Sequence, residues 1–325
     1  DWSWGKLYAV HLEPNGSSYK ATKEEFVIGA PLPITDAIIR PQDGAMYFTI
    51  GGRRVQSGLY RVTYVGDEST ELVQATTTDS AARNTRHALE AFHGQQDPAA
   101  INVAWPYLSN DDRFIRFAAR TAIEHQPVET WAGKALAESD PAKQAEALLA
   151  LARVAGVCPQ HRTDETPEVD LSMRDKLLAK VTSIDSSTLG LSQQLTLQRA
   201  TQIILNRFGR PNDATVQKLV DRFSPLFPAE STELNWLLCE TLAWLQSPNV
   251  AGKAMALIDA APTQEEQMQY ARSIRLVTTG WTPQLRTAYF EWFLKAANYK
   301  GGASFDKFIE FGADKAILVN NADWL

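Results

Sequence analysis

The stretch DPAAINVAWPYLSNDDRFIRFAARTAIEH, residues 97–125, decides how most of this chain is read. Asp97-Pro98 puts a capping side chain before a proline at the first helical position, which starts a helix. Asp111-Asp112 sits where a second helix begins, and Phe114, Phe117, Ala118, Thr121 and Ala122 follow a 3.6-residue stripe after it. The segment therefore predicts two helices, 98–109 and 112–125, joined by a short turn.

The same unit recurs. Residues 128–138 pair with 141–155, 171–183 with 190–208, 213–224 with 231–246 and 249–260 with 264–277. Start signals agree: Asp140-Pro141 and Thr282-Pro283 repeat the cap-plus-proline device, and Thr263 to Glu266 spells a capping box. Apolar stripes run through Leu234, Leu237, Leu238, Leu242 and Leu245, and through Leu285, Tyr289, Trp292, Phe293 and Ala296. Pair starts lie about 30 to 45 residues apart, the range of HEAT and armadillo-type repeats. A helix pair cannot bury its apolar face alone, so neighbours stack into an α-solenoid. A non-repeating helical bundle competes, because the repeats resemble one another weakly.

Before residue 80 the chain has another character. LYAVHLEP (7–14), EEFVIG (24–29), TDAIIRP (35–41), AMYFTIG (45–51) and GLYRVTYV (58–65) are short runs rich in β-branched and aromatic residues. Turn residues separate them, and Asp43-Gly44 is the clearest hairpin signal. Leu59, Arg61, Thr63 and Val65 alternate with Tyr60, Val62 and Tyr64, so one set should face a core. The expected fold is α+β, mainly α. A short antiparallel β module over 1–66 and a linker over 67–79 precede a HEAT/armadillo-like α-solenoid over 80–325.

The 325 residues are 44% hydrophobic and 22% charged, with a net charge of -6. That balance argues against a nucleic-acid surface, which needs a clustered basic excess. No apolar run is long enough to span a membrane. DWSWGKLYAV, at the N-terminus, lacks the pattern of a signal peptide. The two cysteines, Cys158 and Cys239, form no CxxC or CxxCH, so neither a cysteine zinc site nor covalent haem attachment is encoded. Cys239 lies in the apolar run LNWLLCETLAWL and reads as a core residue, and a bond between the two is left open.

Of the five histidines, His87 and His93 are six apart, not at the i, i+4 spacing of a helical metal pair. All five read as surface or structural residues. Asp111-Asp112, Asp140 and Glu265-Glu266 are explained by helix capping and dipole complementarity. Gly51-Gly52-Arg53-Arg54 lacks the spacing of a phosphate-binding loop, and no helix follows it. It reads as a strand-connecting turn with solvated arginines. Trp281, Tyr289, Phe290, Trp292, Phe293, Tyr299 and Phe305 form a dense aromatic set, expected to pack helices or to dock a neighbouring domain.

TDAIIRPQDGAMYFTIGGRRVQSGLYRVTYVG (35–66) resembles the closing blade of a sorbosone/glucose-dehydrogenase-type β-propeller. Thr35-Asp36 would enter a strand, Asp43-Gly44 would turn, Met46 to Thr49 would form the next strand and Gly58 to Val62 the outer one. A blade followed by HEAT-like helices is similar to the large bacterial PVC-type (membrane-bound) dehydrogenases, which end in a c-type cytochrome. APTQEEQMQYARSIRLVTTGWTPQLRTAYFEWFLKAANYKGGASF (261–305) resembles the helical segment before that cytochrome. The resemblance implies a periplasmic or exported setting. It also implies that Arg53 and Arg54 sit where propeller arginines bind the carboxylates of a quinone cofactor. PQQ and haem c would belong to the parent protein, and neither to this chain alone. A propeller needs at least four blades and this chain supplies about one. The chain is thus expected to be a piece of a longer protein, or a relative lacking both ends.

Three functions follow as expectations. The first is a non-catalytic scaffold or interaction region of a cytochrome-linked, dehydrogenase-like protein that serves electron transfer. Its partners would be the parent's other domains or another protein. The second is a quinone-dependent sugar or alcohol dehydrogenase whose propeller lies mostly outside these residues. The third is a free-standing helical-repeat module that binds protein.

Overall fold

A computed structural model describes residues 1–52, 55–71, 80–301, 307, 309–310 and 312–314. The chain divides into two compact units, with main bodies Asp1–Asn84 and Thr85–Tyr299.

The first unit is antiparallel β. Strands β1 (Lys6–Asn15) and β2 (Ser18–Ile28) form a two-stranded hairpin. Strands β3 (Ile34–Ile39), β4 (Met46–Gly52) and β5 (Val55–Val62) form a separate three-stranded meander in chain order. The Asp43-Gly44 turn links β3 to β4, with Gly44 at φ +63°, a conformation that favours glycine. The Asp43 carboxylate fixes this turn. It accepts from the Ala45 amide (3.2 Å), Tyr47 Oη (2.9 Å) and Arg40 Nη1 (3.2 Å). Leu32, Phe48 and Ile50 are the buried centre, flanked by Val27, Ile34, Met46 and Val62. Tyr60 stacks on Phe48 at 5.0 Å. The even-numbered face of β5 therefore meets the core, and Leu59 faces solvent. β5 ends at Val62, before the expected Val65.

Two features differ from the sequence reading. The expected strand at 24–29 starts earlier, at Ser18, and pairs along its length with the strand expected at 7–14. The sheet that holds the blade-like motif has three strands among the described residues and is open at β3 and β5.

Ala81–Glu90 forms α1, and the boundary between the units falls inside it. The second unit is an α-solenoid of helix pairs. Helix α2 (Ala99–Ala104), extended by a 3₁₀ turn, pairs with α3 (Arg113–Glu124), and α4 (Ala132–Ala137) with α5 (Pro141–Ala155). Then come α6 (Leu171–Ser183) with α7 (Leu191–Phe208) and α8 (Asp213–Phe223) with α9 (Thr232–Trp244). The fifth pair is α10 (Val250–Ala260) with α11 (Gln264–Ile274), and α12 (Pro283–Ala296) packs on α10. Helices touch their next-but-one neighbours: α3, α5, α7, α9 and α11 form one continuous layer, and even-numbered helices cover its other side.

Caps set these boundaries. Asp112 accepts from the Phe114 and Ile115 amides, Asp140 from Ala142 and Lys143, Thr263 from Glu266 and Thr282 from Leu285. Helix α5 lies at the centre: every residue from Gln144 to Ala152 is buried, as expected for a helix enclosed on all sides. Its alanines at 145, 147, 150 and 152 are buried, and side chains this small let neighbouring helices approach closely. The aromatic set near the C-terminus packs internally. Tyr289 and Trp292 are buried, and Phe293 lies edge-on to both at 5.2 and 5.0 Å. Phe305 lies outside the described residues.

Candidate functional site

The odd-numbered layer carries an open groove of about 1050 Å³. Its lining follows from helical geometry. Residues 113, 116, 117 and 120 of α3, 192, 195, 196 and 199 of α7, and 233, 236, 237 and 240 of α9 all face it. Each set has the spacing i, i+3, i+4, i+7, one stripe of a helix. Glu146 and Leu149 of α5 and Gln269 and Arg272 of α11 complete it. Each of these helices thus has two working faces, one toward the core and one toward the groove.

The floor is a desolvated ion network between α3 and α5. Glu146 accepts from Arg120 Nη1 at 2.9 Å and pairs with Arg116 Nε at 3.4 Å. Their side chains are 5% (Glu146), 15% (Arg120) and 10% (Arg116) exposed. Thr196 Oγ1 of α7 also donates to Glu146, at 3.2 Å. Arg116 donates to the Asn110 carbonyl (2.6 Å) and to Ser192 Oγ (2.7 Å). The chain of charges continues from Arg120 to Glu124 (3.2 Å) and from Glu124 to Arg153 (2.9 Å). Every charge in the network has a partner, as buried charge requires.

Further along, Glu240 of α9 latches its neighbours. It accepts from Arg272 (3.0 Å) and Gln269 (3.1 Å) of α11 and from Gln202 (3.3 Å) of α7. The Ser231 hydroxyl donates to Glu233 at 2.7 Å and holds its carboxyl below the ordinary range. The walls are aromatic. Phe114 is 41% and Phe117 55% exposed, with the Arg113 and Arg120 guanidinium groups lying over them at 5.2 and 5.3 Å. The Trp236 indole N–H is shielded from solvent and has no acceptor among the described residues.

Phe114 and Phe117 correct the sequence reading. Their spacing assigned them to the core stripe of α3, but the buried stripe is Ile115, Ala118, Ala119, Ala122 and Ile123. The recurrence of Arg and aromatic residues on a second stripe was the signal to follow.

Other candidates fall elsewhere. Arg53 and Arg54, the residues placed at a cofactor by the resemblance, lie outside the described residues, between the paired Gly52 and Val55. The half-buried His93 has Nε2 2.9 Å from the Ala118 carbonyl, and the exposed His11 pairs with the exposed Glu24 at 3.2 Å. Among the described residues no group of three or more His, Cys, Asp or Glu could hold a metal ion. Cys158 and Cys239 are both free thiols. Burial pushes the Cys239 thiol up to about 12. No helix among the described residues is long and apolar enough to cross a membrane.

The groove lining contains no histidine or cysteine, and its three carboxylates are engaged in ion pairs or hydrogen bonds. Guanidinium groups, aromatic rings and amide side chains on one helical layer equip it to hold a ligand. In comparisons with protein-family models, curated proteins and solved structures, the chain matches none.

Proposed function

We propose that this chain is an interaction scaffold whose α-solenoid binds a polypeptide segment along the α3–α11 groove. The observation that carries this is the pair Phe114 and Phe117, large apolar rings left substantially exposed on the wall of the groove. Aromatic and Arg side chains are enriched at binding hot spots. A stack of helices provides the extended surface on which repeat proteins bind.

The redox setting, with a propeller held near a cytochrome, rests on the resemblance of residues 35–66 and 261–305 alone. In it the same scaffold would dock a neighbouring redox domain in an exported protein. Native mass and an absorption spectrum of the protein from its source test that setting. A mass near 36.1 kDa without a haem or quinone chromophore refutes it.

The binding role is tested by the double variant F114S/F117S. Both rings are substantially exposed, so the variant should melt within a few degrees of the wild type. It should lose peptides selected on the wild-type chain from a phage-displayed random library. Selected peptides that bind both proteins equally would place recognition elsewhere.

A further inference from the structure

We propose that the groove selects an acidic segment of about ten to twelve residues, with carboxylates over the α3–α7 half and an apolar anchor against Phe114 and Phe117. This rests on the interaction-scaffold reading and specifies its ligand. The length follows from the layer: four interaxial steps of about 8–10 Å span about 32–40 Å, and an extended chain covers about 3.3–3.6 Å per residue.

The charge follows from the lining. The whole chain carries a net charge of -6, yet the groove opposes five arginines to three glutamates. The imbalance is local. On α3, α5 and α7 four arginines face one carboxylate, Glu146, whereas on α9 and α11 Arg272 faces Glu233 and Glu240. Arg116 and Arg120 spend their charge on the floor network. Arg113 and Arg199 have no carboxylate partner among the described residues: Arg113 lies on the Phe114 ring, and Arg199 donates to the neutral Gln202 amide at 2.8 Å. Both are exposed.

A guanidinium held against a ring keeps its N–H fork free for a carboxylate, and bidentate Arg–carboxylate pairs are among the stronger hydrogen-bonded contacts. Arg113 and Arg199 stand on helices two steps apart, about 16–20 Å, so two carboxylates roughly five or six residues apart would meet both. The carboxylates at the α9–α11 end would repel acid there, which gives the bound segment a direction.

The test uses the full chain and a phage-displayed random dodecapeptide library. Peptides enriched on the wild type should carry an excess of Asp and Glu together with an aromatic or aliphatic residue. A synthetic copy of an enriched peptide should bind R113E/R199E at least tenfold more weakly. It should also weaken between 100 and 500 mM NaCl. The melting temperature of that variant should match the wild type, because both side chains are solvated. Groove-dependent peptides, lost on F114S/F117S, that are neutral or basic overturn the charge assignment and leave the scaffold reading standing. Peptides indifferent to both double variants, or no enrichment at all, overturn both. A (dT)12 oligonucleotide that displaces the peptide with equal affinity overturns the choice of a polypeptide ligand.

Discussion

The substitution Glu146→Gln isolates the groove floor. It removes one negative charge from a site where the carboxylate and the two arginines are each at least 85% buried. Breaking a buried ion pair from one side costs about 3–5 kcal/mol, because the remaining charge stays desolvated without its counterion. Two circumstances bring the cost to the lower end. Arg116 keeps the Asn110 and Asp111 carbonyls and Ser192, and Arg120 keeps Glu124. We expect about 3 kcal/mol, which for a unit of this size lowers the melting temperature by about 6–12 °C. Circular dichroism at 222 nm during heating, with urea unfolding alongside, reads the effect. Removing Arg153 from the outer end of the chain is the control. That side chain is 43% exposed, and its pair with Glu124 should contribute about 1 kcal/mol or less. The apolar replacement R116M/E146L/R120M should recover most of the lost stability, since no charge is then left unpaired. A Glu146→Gln protein that melts with the wild type, or a difference erased by 1 M NaCl, would show that water reaches the network and refute the desolvated floor.

Three further outcomes are expected. A thiol reagent at pH 8 should label Cys158 quickly and Cys239, fully buried with its pKa near 12, only after denaturation; two fast equivalents would contradict the packing of α9. Gly280→Ala should cost about 2 kcal/mol or more, because Gly280 has φ +74° and an added Cβ would lie 1.9 Å from the Pro248 carbonyl oxygen, whereas Gly133→Ala in open space on α4 should stabilise by about 0.5–1 kcal/mol in urea titrations. Burial opposes the Glu138 carboxylate, but the Asp140 and Ser139 amides and the Trp105 indole donate to it and hold its pKa below the ordinary 4.5. The folded state therefore binds fewer protons than the unfolded one, so the contribution is full above about pH 4.5 and is lost as pH falls through the lower folded value. Acid titration should show Glu138→Gln weaker than wild type by about 1 kcal/mol at pH 7, a gap that closes in acid; a constant gap would refute the linkage.

The helix pairs were legible because their information is local: caps such as Asp140 and Thr282, and one apolar stripe per helix, sit within a few residues of one another. Two kinds of feature were not. Strand β2 begins at Ser18, six residues before the expected start, because Ser-Tyr-Lys-Ala-Thr-Lys is exposed on both faces and shows no alternation. Strand pairing with β1, rather than burial, sets its length. The groove escaped because α3 carries apolar residues on two faces. A periodicity reading merges Phe114 and Phe117 with Ala118, and only contact with α5 decides which face is covered. Glu146 was hidden for a similar reason. A glutamate in an Ala- and Leu-rich helix reads as solvated, and its partners lie on α3, 26 and 30 residues earlier in sequence.

The layered stack has a mechanical consequence. In an array whose odd-numbered helices each touch the next odd-numbered one, bending adds up from small rotations at successive interfaces. Those interfaces are unequal here. Between α3, α5 and α7 the joints are tied by Glu146, Arg116, Ser192 and Thr196, and the two charged partners, Glu146 and Arg116, are buried. Between α9 and α11 the tie is Glu240 to Arg272, whose side chain is 64% exposed and open to competition from salt. The two ends of the groove therefore differ in salt sensitivity: added salt should weaken the exposed polar tie at the α11 end and leave the buried one at the α3 end largely unchanged.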